Sequence, residues 1–398
     1  MRRLRNDLPY TFRPPAQRAW VRPFGLLINR WLLQRKYRIG SIVENGFAPV
    51  AGLCKAGHSV LLAPNHADHS DPHLMIEVAS RHGLRPYFMG AREIFEVNAL
   101  ASWALQSMGV YSVDRDGPDL SAIKTSIGLI EKGRHPLVIY PEGEIYHHHE
   151  RLDPLHEGVA SILLKGAGRL PAGREAFLVP VGIRFRHDPS VEESFAPRLT
   201  RLEDRIGWTP RPSMAVGERI VRLGTGILAL KETEFLGHAG TGSIQERLAN
   251  LCGQLLADVE SRLGSDAKST TTPERVRALR YRVRRRLLDE AAPPTFLEKE
   301  ALLDDLDRVF AALQAHSYIG EYLQADPTLD RRAETLMKLE EDLFGFPTYP
   351  ALRTAYLTAG EPIPVSRMLA ENQLPAKGGA GELTVLLESR LNRLLEAI

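Results

Sequence analysis

Cysteine is scarce: the 398-residue chain holds only Cys54 and Cys252. Two thiols without metal-type spacing build neither a disulfide framework nor a cysteine-rich zinc site, and they suit a reducing compartment. No run approaches the ~18 apolar residues that a membrane-spanning helix needs, so any meeting with lipid is expected at the surface. No signal peptide is legible, because the basic start runs into Asp7, Pro9 and the pair Pro14–Pro15 without an apolar segment. A large net charge is lacking too. The 51 Lys and Arg against 49 Asp and Glu leave +2, which argues against a nucleic-acid partner. The balance is uneven, however. Acids are almost missing from residues 1–40, where Arg2, Arg3, Arg5, Arg13, Arg18, Arg22, Arg30, Arg35, Lys36 and Arg38 face Asp7 alone.

What is present reads as a folded protein. Apolar residues make up 43% and charged ones 25%, ordinary values for a chain that buries a sizeable core in one large domain or two. Within a basic amphipathic N-terminal segment, 1–49, Trp20, Phe24, Leu27 and Trp31 recur at helical spacing among arginines. Such a helix either lies in a membrane interface or packs on the protein's own core. From residue 58, SVLLAPN, RPYFMG, GVYSVD, PLVIYP and AFLVPVGIRF alternate with helical stretches. That alternation predicts an α/β core over 50–190 with flanking helices and a largely buried sheet. Residues 191–350 are helical in texture, including an Arg-rich helix over 274–290. Its apolar stripe Val276, Leu279, Val283 and Leu287 leaves the arginines for a solvated face. Residues 351–398 read as a closing strand, LRTAYLTAGEPIPV, and a C-terminal helix. A strand that returns to the sheet favours a helical insertion over a separate helical domain.

The densest polar cluster, PNHADHSDPH (64–73), directly follows a strand, where α/β proteins place reacting groups. His66 and Asp71 are five apart. A carboxylate folded back onto the imidazole holds one tautomer and leaves the other ring nitrogen to take a proton from a hydroxyl. The plain alternative makes Asp71, before Pro72, an ordinary helix N-cap. A further rival is a zinc loop. H-x-D-H after a strand resembles the loop of metallo-β-lactamase-like hydrolases, yet Pro64 stands where its first histidine belongs. His147, His148, His149 and His156 are possible donors, although a triple-His loop is usually solvent-exposed.

Other stretches add order. NHADHSD (65–71), GVYSVDRD (109–116), YPEGEI (140–145) followed by RLDPLHEGVA, and VPVGI (179–183) resemble four ordered motifs of the phospholipid/glycerol acyltransferase family, the group that contains 1-acylglycerol-3-phosphate acyltransferases. The resemblance covers about residues 58–185 and implies a glycerolipid-acyltransferase-like sheet. It implies that His66 is the general base for an acceptor hydroxyl, oriented by Asp71. It also implies that Arg115 holds the acceptor's phosphate, that Glu142 and Gly143 belong to the third motif, that Pro180 lines the acyl pocket, and that Asn65 joins them in the substrate site.

The expected reaction moves a fatty-acyl group from acyl-CoA or acyl-carrier protein, a co-substrate with no further cofactor and no metal, to a lysolipid acceptor. The expected setting is the cytoplasmic side of a membrane surface, reached through the basic N-terminal segment. One departure stands out. Glu144, Ile145 and Tyr146 replace the Thr-Arg-Ser of many phosphatidic-acid-forming members, which weakens the case for a phosphate-bearing acceptor. His147–His149 or Arg151 are candidates to replace the lost cation. A catalytically silent lipid-binding protein of the same fold is the alternative.

Overall fold

The run SVLLAP has no polar side chain after Ser59, and such a strand is stable only where both its faces are covered. In the computed structural model, which describes residues 9–117, 119–264, 271–318, 323, 327–375 and 378–398, it forms β2 (Ser59–Pro64), buried at every position. The other strands are β1 (Ile39–Asn45), β3 (Tyr87–Ala91), β4 (Val110–Val113), β5 (Leu137–Val138), β6 (Ala176–His187), β7 (Arg353–Ala359) and β8 (Ile363–Pro364). Among the described residues they make one eight-stranded sheet, ordered β1-β7-β6-β2-β5-β3-β4 with β8 beside β6. β2 runs parallel to both neighbours, β5 and β6, whereas β7 is antiparallel to β6.

Among the described residues, six α-helices precede β6 or connect the early strands: α1 (Arg22–Trp31), α2 (Phe47–Lys55), α3 (Asp71–Arg81), α4 (Ala99–Ser107), α5 (Leu120–Lys132) and α6 (Gly158–Ala167). The helix over 379–397 buries Leu383, Leu387, Leu391 and Leu395 in the core that holds Leu61, Ile130, Leu163 and Leu178. This is the α/β class that the alternation predicts, as a mixed sheet. Two local differences stand out. Ile39–Asn45, inside the stretch 1–49, is a sheet strand; only one of its residues is buried, and its Gly, Ser, Glu and Asn break any apolar run. PLVIYP pairs only over Leu137–Val138 before the chain turns away.

The chain divides into two compact units. The α/β unit comprises Phe12–Asp114, Asp119–Asp188 and Ala351–Ile398. Within it His187 and Arg353 face each other in the β6–β7 ladder, and the Asp188 N–H donates to the Leu352 carbonyl at 2.9 Å. Residues 189–350 are therefore inserted into what would otherwise be a hairpin.

The second unit is helical, with α7 (Phe195–Arg205), α8 (Val216–Leu236), α9 (Ile244–Arg262), α10 (Thr272–Leu287), α11 (Phe296–His316) and α12 (Leu329–Phe344). Its own core joins Leu251, Leu255 and Val259 of α9 to Val276, Leu279 and Val283 of α10 and Val309 of α11. The short stretch 115–117 belongs with it. Here the solvated-face reading of α10 needs correction at two positions: Arg277, Arg282 and Arg285 are exposed, but Arg280 and Arg284 are buried against Asp116, at 2.7 and 3.2 Å. A buried carboxylate draws in cations that a periodicity argument assigns to solvent.

Candidate active site

The chain leaves the C-terminal end of β2 at Asn65, whose side chain is buried and fixed to β6. Its Nδ2 donates to the Ile183 carbonyl at 3.0 Å and its Oδ1 accepts the Ile183 N–H at 2.7 Å. That anchor sets the position of the next residue. The His66 backbone N–H donates to Glu142 Oε1 at 2.7 Å, and its Nδ1 lies 3.0 Å from Asp71 Oδ2. Asp71 is fully buried at the start of α3, with Ser70 in the cap position before it. The carboxylate turns back to the ring and to the Asp68 N–H, 2.8 Å away, so the plain N-cap reading does not describe it. With the Nδ1 proton held toward Asp71, the basic nitrogen of His66 is Nε2. The site thus holds an imidazole in contact with a buried carboxylate at the end of a central buried strand.

Asp68 has another partner. Arg353, at the start of β7, places its Nη1 3.2 Å from Asp68 Oδ2 and its Nη2 3.3 Å from Oδ1, both side chains being buried. The Arg353 guanidinium also donates to the Tyr37 carbonyl, while the Ser70 N–H donates to Asp68 Oδ1 at 2.8 Å. Burial alone would raise Asp68, but the guanidinium outweighs it and holds the carboxyl well below its ordinary range. Burial, with the charge of Asp68 second, pushes Asp71 well above that range despite the N–H groups of Asp68 and Ala67. An Asp68 engaged with Arg353 and Ser70 is poorly disposed to act as the metal ligand that the H-x-D-H reading requires.

The third motif closes the site from the neighbouring strand. The Tyr140 ring stacks on the His66 imidazole, with centroids 4.0 Å apart and planes 24° apart. Glu142 is buried and accepts from two backbone N–H groups, those of His66 at 2.7 Å and Asp153 at 3.1 Å. Burial raises its carboxyl to about 8 in spite of those two donors. Gly143 sits at φ +77°, where a Cβ would come within 3.1 Å of the His156 ring; a left-handed turn of this kind favours glycine. Pro180, on β6, is buried opposite Ala63 and its carbonyl accepts the Gly360 N–H. Arg115 falls in the stretch that belongs to the helical unit.

The histidine loop is a clear difference from expectation. His147, His148 and His149 are all buried rather than solvent-exposed. His148 lies 2.9 Å from Asp153 Oδ2 and 3.0 Å from the Arg151 carbonyl, with Tyr146 stacked on its ring, while His149 meets Phe185 edge-on. These contacts make the loop a packed support. Sequence reasoning singled out His66, Asp71 and Glu142, which the fold brings together. It missed Tyr140 and Arg353. Tyr140 could have been found from its place directly before Pro-Glu-Gly, whereas Arg353 lies 285 positions from Asp68 and carries no local signal.

Residues 49–184 match the family model described as Acyltransferase. A 1-acyl-sn-glycerol-3-phosphate acyltransferase of Streptococcus pneumoniae (strain ATCC BAA-255 / R6) is 34% identical over 56 residues, 14% of this chain. That match spans 21% of the relative's length. The family-model range 49–184 contains the strand, the loop and the third motif that frame His66. Over residues 49–184 this chain is therefore similar to the acyltransferase family.

Proposed function

We propose that this protein transfers a fatty-acyl group from an acyl thioester, acyl-CoA or acyl-carrier protein, to the hydroxyl of a glycerolipid or lysophospholipid. The observation that carries the reading is the His66 Nδ1–Asp71 Oδ2 contact of 3.0 Å at the end of β2. Nε2 of His66 takes the acceptor's hydroxyl proton as the oxygen attacks the thioester carbonyl carbon. Asp71 holds the ring and offsets the positive charge that develops on it. The tetrahedral intermediate then collapses, the C–S bond breaks, and the leaving thiolate takes the proton back from His66. Oxygen gains the acyl group, sulfur gains the proton, and no metal or redox partner is needed. A positioned base of this kind contributes about 10²–10⁴-fold.

Glu142 acts in this scheme as a support: it holds the His66 backbone through one N–H and the following loop through another. Asn65 is a support of the same kind. Arg115 is assigned to the acceptor headgroup by motif resemblance alone. With Glu144, Ile145 and Tyr146 in the third motif, an acceptor other than lysophosphatidic acid fits as well as that lipid does. The setting is a membrane surface on its cytoplasmic side, met through the basic N-terminal segment. No helix among the described residues is long and apolar enough to cross a membrane.

The test is thiol release from acyl-CoA and from acyl-carrier protein with a panel of lysolipids, comparing wild type with His66→Ala. Acceptor-dependent release that falls by about 10²-fold or more in the variant supports the transferase. Release indifferent to acceptor means thioester hydrolysis. No release from folded protein that still binds lipid means a silent lipid-binding protein and ends the proposal.

A further inference from the structure

α1 is inside out. An amphipathic helix of a water-soluble surface buries its apolar stripe, but here Trp20, just before the helix, with Phe24, Leu27, Ile28 and Trp31, are 59 to 68% exposed. The residue α1 buries is Asn29, whose Nδ2 donates to the His73 carbonyl at 2.9 Å and whose Oδ1 lies 2.7 Å from His73 Nδ1. A polar residue inside and large apolar ones outside are the informative exceptions to ordinary burial.

A second element continues the same face. The 3₁₀ turn Arg92–Phe95 and the N-terminal half of α4 expose Ile94, Val97, Leu100 and Trp103, with Val97 at 71% and Leu100 at 73%. The two elements touch: the Trp20 and Trp103 rings stand 5.9 Å apart, and Arg18 lies over Trp103 at 5.6 Å. The Arg18 N–H donates to the Ser107 carbonyl and its Nη1 to the Ser107 hydroxyl, so the junction is fixed.

We infer that α4 and the turn before it form, with α1, one apolar face that docks on an anionic lipid surface, α4 being a second insertion element beside the N-terminal helix. The inference rests on the reading above that the acceptor is a lipid. Charge chooses the occupant. From Leu8 to Val43 the chain has no acid, while Arg13, Arg18, Arg22, Arg30, Arg35, Lys36 and Arg38 flank the aromatic residues along the sequence, Arg30 being paired with Glu77 at 3.0 Å. The turn before α4 carries two acids, Glu93 and Glu96, of which Glu96 is neutralised by Arg92 at 2.7 Å. Tryptophans at headgroup depth, aliphatic side chains below them and arginines on lipid phosphates are what an interfacial site requires.

The experiment uses vesicles of phosphatidylcholine with and without phosphatidylglycerol, some carrying brominated chains, and the full-length protein. Trp20→Phe, Trp31→Phe and Trp208→Phe together leave Trp103 as the reporter. Brominated lipid should quench it, and the double change Val97→Glu, Leu100→Glu should lower vesicle partition by about tenfold or more, with circular dichroism unchanged. Partition should also fall when phosphatidylglycerol is omitted. If Trp103 is not quenched while a Trp31-only variant is, α1 docks alone and the inference is overturned. It is equally overturned if the double change leaves vesicle binding intact but dissociates a dimer, since the face then joins two copies. Transfer to detergent-dispersed acceptor is measured alongside. Quenching without transfer in wild type keeps the docking face and removes the transferase reading; transfer without quenching does the reverse.

Discussion

Glu142 shows how a single residue of the site can be a support and still titrate usefully. Its carboxyl is raised from 4.5 to about 8, mainly by burial. A group that binds its proton more tightly in the folded chain stabilises that chain below 4.5, and the benefit is lost as pH rises through about 8. Stability of the α/β unit should therefore decline across that window, and Glu142→Gln should flatten the decline. The same substitution sets an amide N–H₂ against the backbone N–H of His66 or of Asp153, leaving a buried donor unmet at a cost of about 1–3 kcal/mol. Urea midpoints at pH 5 and pH 8 check both effects, and a wild-type slope retained in the variant would contradict the assignment. Tyr140 separates in the same way into ring and hydroxyl. Tyr140→Phe keeps the stacked ring and should leave the transfer rate within about twofold, whereas Tyr140→Ala frees the His66 imidazole, and a misplaced group costs up to ~10²-fold. Equal losses in the two variants would instead assign chemistry to the buried phenol.

The elements meet at Arg353. It opens β7 and reaches the loop after β2, so the strand that returns from the insertion also fixes the loop that carries His66. Arg353→Met would leave Asp68 as an uncompensated buried charge, an arrangement that costs about 3–5 kcal/mol, readable as a lowered thermal midpoint. Asp68→Asn acts on Asp71 instead. The charge of Asp68 is the second cause of the raised Asp71 carboxyl, and its loss also leaves the Arg353 guanidinium unneutralised nearby. Both changes make Asp71 easier to ionise, so the acid limb of the kcat/KM profile should move to lower pH. An unmoved limb would mean that Asp71 does not control it.

These elements also show what the sequence could tell. β2 and β6 were legible because both are nearly continuous apolar runs, and His66 with Asp71 because both partners lie in one short loop. β1 was not, since an edge strand with one buried residue leaves no apolar pattern. The buried state of His147–His149 was hidden for a different reason: their partners Asp153 and Phe185 come from a following loop and a distant strand. The outward apolar stripe of α1 was legible as periodicity, but not as to side; only the burial of Asn29 on His73 decides that.

At the scale of the molecule the question is whether the sheet needs the helices inserted into it. Each unit has its own core, one around Leu61, Leu163 and Leu178 and the other around Leu255, Val259 and Val309. The insertion leaves through a closed neck, with His187 opposite Arg353 and the Asp188 N–H on the Leu352 carbonyl. A second neck brackets residues 115–118. Asp119 accepts the Asp114 N–H at 3.1 Å and caps α5 through the Ala122 N–H at 2.9 Å, both within the α/β unit. Antiparallel strands in this register can be joined by a two-residue turn such as Asn-Gly. A chain in which that turn replaces residues 189–351 should therefore fold, unfold cooperatively in urea, and keep Arg353 beside Asp68. Shortening the connection lowers the loop-closure cost only slowly with length, so the change in stability should be small compared with that of Arg353→Met. A product that binds a hydrophobic dye and melts without a transition would show that the helical unit is required for the sheet to form. Folding without it would leave acyl transfer, measured on the shortened chain, to report what those helices contribute to the reaction.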